Sequence, residues 1–93
     1  MKRSDRDGYN FDEGALNSLG YMLLRRDRTA DAITIFKLNV REYPTSGNVY
    51  DSLAEAYERN GQKQQAIDNY RKATELDPKN QNAKEKLKAL EGN

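Results

Sequence analysis

Leu19, Arg25, Ala32, Ile33 and Pro44 recur 34 residues later as Leu53, Arg59, Ala66, Ile67 and Pro78. A chain that repeats itself at this length folds as stacked helix-turn-helix units, each of which buries its apolar face only against its neighbours. The period therefore predicts an all-α protein: two antiparallel helix-turn-helix repeats plus a C-terminal capping helix, wound as an α-α superhelix. Such an architecture offers an extended surface rather than an enclosed cleft, which points to binding as the mode of action.

Residue types inside the period explain how each unit would form. Leu16, Leu19 and Leu23, and one unit later Tyr50, Leu53 and Tyr57, follow the three-and-four spacing that gathers apolar side chains on one helix face. Gly20, Ala32, Ala54 and Ala66 are small, as residues must be where two helices cross closely. Pro44 and Pro78 lack an amide donor and end the helices before them. Asp12, Ser46 and Asn80 are N-cap types spaced by the same period, and Phe11 with Leu16 forms a hydrophobic staple around the first of them. Asn60-Gly61 marks the turn of the second hairpin, and the polar run Arg26-Asp27-Arg28-Thr29 that of the first. These signals predict helices over 12–26, 29–42, 46–60, 63–76 and 80–91. They divide the chain into a flexible tail, 1–11, and a domain, 12–93, comprising repeat one (13–46), repeat two (47–80) and the capping helix (81–91).

The second unit reads Tyr50-x2-Leu53-Ala54-x2-Tyr57, then Ala66-x3-Tyr70, then Pro78, and it resembles the tetratricopeptide repeat (TPR) family at each of these positions. The first unit gives Leu16-x2-Leu19-Gly20-x2-Leu23, Ala32-x3-Phe36 and Pro44. A narrower resemblance rests on the runs 16–21, 36–44 and 48–53, which are similar to the short TPR tails at the C-terminal ends of some bacterial serine hydrolases and esterases. That likeness implies an appendage of a larger, bacterial protein. Asn39 stands where the family has a small Ala, so its amide needs a partner, for which Asp51 or Ser52 is the expected candidate.

Composition narrows the function. With neither His nor Cys the chain lacks the commonest general base, the commonest transition-metal ligand and every thiolate, so no enzymatic activity, metal or cofactor is expected. Asp51 with Glu55 and Glu58, and Asp68 with Glu75, sit at spacings typical of solvated helix faces. Net charge is +1, and Lys and Arg alternate with Asp and Glu instead of gathering on the basic face that phosphate binding requires, so nucleic acid is not an expected partner. No apolar run approaches a membrane span, and the chain as it stands reads as cytoplasmic.

Two repeats are fewer than the roughly three that such arrays usually need, which predicts reliance on the terminal helix, on a homodimer or on docking within a larger chain. Met22, Leu24, Leu38 and Val40 are the apolar candidates for that exposed join, since the counterparts of the last two are the polar Lys72 and Thr74. The expected partner is a protein or peptide. By resemblance, the first helix of each unit lines the concave side, which places Asn17, Tyr21 and Arg25, then Asn48, Asp51, Glu55 and Arg59, then Asn82, Glu85 and Lys86 in the binding groove. The carboxylate clamp with which some TPR proteins grip chaperone tails would fall on Asn17, Tyr21, Ser52, Asn82 and Lys86. Only Lys86 matches it, which argues against that ligand.

Overall fold

The computed structural model describes residues 12–92, which form five helices: α1 (Glu13–Arg25), α2 (Thr29–Glu42), α3 (Gly47–Arg59), α4 (Lys63–Leu76) and α5 (Gln81–Glu91). All-α architecture and helix order are as the period requires, and each helix end lies within one residue of its expected place. The tail and Phe11, and with it the staple, lie outside the described residues. Consecutive helices pack as neighbours, and α1 also touches α3, so that the first helix of each unit stands beside the first helix of the next.

Helix starts divide by what else the cap residue can reach. Asp12 accepts the Ala15 amide at 2.7 Å and Asn80 accepts the Ala83 amide at 3.0 Å, as their types predict. Ser46 occupies the N-cap of α3 but makes no side-chain cap bond. Its hydroxyl instead donates to Glu13 Oε2 at 2.8 Å, because α1 brings a carboxylate acceptor to it from the preceding unit. The two hairpin turns are the same turn on different residues. Arg28 N–H donates to Leu23 O and Gln62 N–H to Tyr57 O, both at 2.9 Å, around Asp27 (φ 61°) and Gly61 (φ 78°). Asp tolerates the left-handed conformation better than most side chains, and Gly adopts it freely.

Two apolar clusters hold the stack. The first gathers Leu24, Ala32, Ile33, Phe36, Leu53 and Ala56; the second gathers Ala54, Ala66, Tyr70, Ala73 and Ala83. Leu24, expected on an exposed join, is 2 % exposed. The buried row of α1 runs Leu16, Gly20, Leu24, one residue per four, and leaves Leu19 and Leu23 at its half-buried edge. Leu38 is exposed as expected, Met22 is half-buried, and Val40 packs against the first cluster.

Asn39 is completely buried, and its partner is neither Asp51 nor Ser52. Its Nδ2 donates to the Glu13 main-chain carbonyl at 3.1 Å, while its Oδ1 has no hydrogen-bond partner. Asp51 and Ser52 are taken up by Asn80 and Asn17. Removing the amide would relieve an orphan acceptor costing about 1–3 kcal/mol and forfeit one hydrogen bond worth about 1. Asn39→Ala is therefore expected to leave stability unchanged or to raise it by up to about 1 kcal/mol in urea unfolding. A loss of about 2 kcal/mol or more would show that the amide holds the two units together.

Candidate concave binding face

α1, α3 and α5 carry the polar side chains that face one another across the stack, and hydrogen bonds from unit to unit fix most of them. Tyr21 packs its ring edge-on against Phe36, with centroids 5.2 Å apart, and donates its hydroxyl to Glu55 Oε1 at 2.9 Å. Burial, with the Glu55 and Asp51 carboxylates nearby, pushes that hydroxyl up to about 12 against the lowering effect of Ser52, so it stays protonated as a donor. Ser52 donates to Asn17 Oδ1 at 2.5 Å. Asp51 accepts from Asn80 Nδ2 at 3.2 Å and also faces Asn82 and Lys86. Glu55 lies 3.9 Å from the Arg59 guanidinium, and Glu58 lies 3.8 Å from Lys86 Nζ.

The acidic row is one geometric feature: Asp51, Glu55 and Glu58 occupy the i, i+4 and i+7 positions of α3 and share one side of that helix. It is not the solvated face that spacing alone suggests, because all three are half-buried. Glu58 was absent from the expected groove. It accepts a 3.0 Å hydrogen bond from Tyr70, whose hydroxyl is held protonated chiefly by burial and then by the Glu58 charge. The continuation of the 51–55 spacing to 58 was the available signal.

Of the expected residues, Tyr21, Glu55 and Arg59 form one linked group, and Asp51, Asn82 and Lys86 another beside it. Asn17 is joined to α3 through Ser52. Arg25 is exposed at the end of α1, and Glu85 is exposed on α5. Asn48 stands apart: its Nδ2 lies 3.4 Å from Glu13 Oε2, at the junction that Ser46 also joins.

Asp51 supplies a pH test. Desolvation raises its pKa above the ordinary carboxylate value, with Glu55 adding to the rise and Asn80, Asn82 and Lys86 opposing it. A carboxyl with a raised folded pKa favours the protonated folded state. Its contribution is most favourable below the unfolded pKa and is lost as pH rises through the folded value. Asp51→Asn keeps an acceptor for Asn80 without the buried charge. The variant is expected to be more stable than the natural chain at pH 7, with the difference shrinking toward pH 4. Urea midpoints across that range check this, and a difference that grows on acidification would contradict it.

Among the described residues no set of His, Cys, Asp or Glu side chains could hold a metal ion, and no helix is long and apolar enough to cross a membrane. What the face can offer is hydrogen-bonding and charged groups, held in place, along three parallel helices.

Residues 47–80 match the family model of the tetratricopeptide repeat. That segment is a tetratricopeptide repeat, and the fold of the chain is TPR-like. Its structure is similar to the crystal structure of the Sgt2 TPR domain from Aspergillus fumigatus, with a TM-score of 0.79 and 26 % identity over 84 % of this chain. The match covers 52 % of the Sgt2 chain, so the present chain spans about half of that chain's length. No curated protein matches the sequence. Neither the family model nor the Sgt2 structure is that of a hydrolase tail. The fold is that of a protein-interaction scaffold.

Proposed function

We propose that this chain holds a peptide, or an extended segment of a partner domain, along its concave face and performs no chemistry of its own. The supporting observation is the cross-unit ordering of that face: Tyr21 is tied to Glu55, Asn17 to Ser52, and Asp51 to Asn80. Side chains already fixed in the free protein lose little further entropy when a ligand meets them. The ligand would be read by donors and acceptors rather than by one dominant charge, because the Asp51–Glu55–Glu58 row is interleaved with Arg25, Arg59 and Lys86. We take the setting to be a bacterial cytoplasm on the strength of the sequence resemblance alone.

Partner capture by the natural chain is expected to fail in Tyr21→Ala and in Arg25→Glu, while far-ultraviolet circular dichroism stays helical. Retained capture in both variants would move the site off the concave side.

A second reading is a structural appendage that docks on its own longer chain, such as a hydrolase, or on a second copy. It is favoured by Leu38, 38 % exposed, which lines a shallow cleft with Ile35 on the outer side of α2. Sedimentation over a wide concentration range distinguishes self-association from a monomer.

A further inference from the structure

Asn80 serves two structural elements at once. Its backbone is fixed on both sides, with its N–H donating to Asp77 O at 3.0 Å and its C=O accepting from Lys84 N–H at 3.2 Å. Its side chain then divides its bonds between separate atoms. Oδ1 accepts the Ala83 amide at 3.0 Å and so caps α5, while Nδ2 donates to Asp51 Oδ2 at 3.2 Å. Ser46, one period earlier, also reaches back to the first helix of the preceding unit, but it gives its hydroxyl to Glu13 and makes no cap bond.

The junction of α5 with α3 depends on side chains of this kind. α1 packs directly on α3, whereas α5 packs chiefly on α4 and buries Ala83 alone. Lys86–Glu58 spans 3.8 Å between side chains 43 % and 34 % exposed, a class of ion pair that contributes little. Asp51 is half-buried, and the groups that face it are Asn80, Asn82 and Lys86 from α5 and its cap, with Glu55 from its own helix. Glu55 is a like charge, so what holds the Asp51 carboxylate in place comes from the α5 side.

We propose that Asn80 is a positioning residue for the concave face: with α5 docked it holds Asp51 in place for a ligand, and a ligand that engages Asp51 in turn keeps α5 docked. This rests on the reading of the concave face as the binding surface. The link is reciprocal, since whatever α5 docking adds to ligand affinity, the ligand returns to α5 docking. Asp51 loses Asn80, Asn82 and Lys86 together when α5 leaves, so the face presents this carboxylate in a fixed place only in the docked state.

The test uses the full chain at neutral pH and reads native-state hydrogen exchange of the α5 amides against those of α4. Asp caps a helix as well as Asn does, so Asn80→Asp would be silent if Asn80 were a cap alone. Because Asn80 also holds Asp51, the variant sets two carboxylates against each other, and the α5 amides should exchange at least about threefold faster. In the Asp51→Asn background the same change should leave them within about twofold, because the pair then only swaps donor and acceptor. Unchanged exchange in the natural background, or equal acceleration in both backgrounds, would overturn the proposal. The ligand side uses a peptide selected from a random library on the purified chain and lost in Asp51→Ala. Saturation with it should slow α5 exchange at least about threefold, and Asn80→Ser, which keeps a cap oxygen but is too short to reach Asp51, should weaken its binding by a similar factor. Bound peptide with α5 exchange unchanged would overturn the proposal. A selection that yields no peptide dependent on Asp51 would overturn the concave reading and the ligand's part with it, whereas exchange in the two Asp51 backgrounds decides the hold of Asn80 on Asp51 independently.

Discussion

Phe36→Ala is expected to unfold the chain at room temperature or leave it at the edge of unfolding. Phe36 is completely buried at the centre of the first cluster, where α1, α2 and α3 meet, and its ring carries the edge contact with Tyr21. Truncating a buried Phe costs about 3–5 kcal/mol, the transfer term and the cavity together. A domain of this size has on the order of 5 kcal/mol of net stability to lose. The loss should also reach the concave face, because Tyr21 would have nothing to lean on and its bond to Glu55 would weaken. Thermal unfolding followed by circular dichroism should show no cooperative transition above about 25 °C. A midpoint within about 5 °C of the natural chain would mean that the cluster collapses around the gap.

The second large effect is steric. A Cβ placed on Gly20 would lie 2.2 Å from Phe36 Cε1 and 2.4 Å from Cζ, well inside van der Waals contact. The atoms it meets belong to a buried, edge-stacked ring and cannot swing aside. Gly20→Val should therefore destabilise the chain by about 3 kcal/mol, a fall in midpoint of roughly 12–24 °C, by forcing α1 and α2 apart. Gly14 is the control on the same helix. A Cβ there meets only Asp12 Oδ1 at 3.6 Å, so Gly14→Ala should be neutral or gain up to about 1 kcal/mol from helix propensity. Equal responses at the two glycines would show that the close crossing does not control the stack.

The repeat period carried the helices, the turns and the small residues at the crossings because those are set by local rules that every unit obeys. It failed where a residue's fate depends on the neighbouring unit. Ser46 has the right type to cap α3, but Glu13 reaches it from the preceding unit. Leu24 lies off the Leu16–Leu19–Leu23 pattern of α1, and it is core because it packs with Ala32, Ile33 and Phe36 of α2 and with Leu53 and Ala56 of α3. Asn39 was legible as a buried amide in need of a partner. The partner, a main-chain carbonyl on α1, was not, since main-chain acceptors leave no mark in a sequence. In the candidate site, the places of Tyr21, Glu55, Arg59, Asp51 and Lys86 in the repeat assign them to one face, and the structure sets them in two neighbouring groups. Glu58 was passed over because a carboxylate at a solvated-looking spacing shows its burial only when Tyr70 comes over it.

Binding along the concave side is tested most directly by nuclear magnetic resonance. A peptide selected from a random library on the purified chain would be titrated into isotope-labelled protein and the perturbed amides and side chains mapped. Binding in the groove should move Tyr21, Asp51, Glu55, Arg59 and Lys86 and leave the outer residues Thr34, Lys37 and Arg41 of α2 unchanged. Perturbations confined to those α2 residues, with the row from Asp51 to Glu58 unmoved, would contradict binding along the concave face.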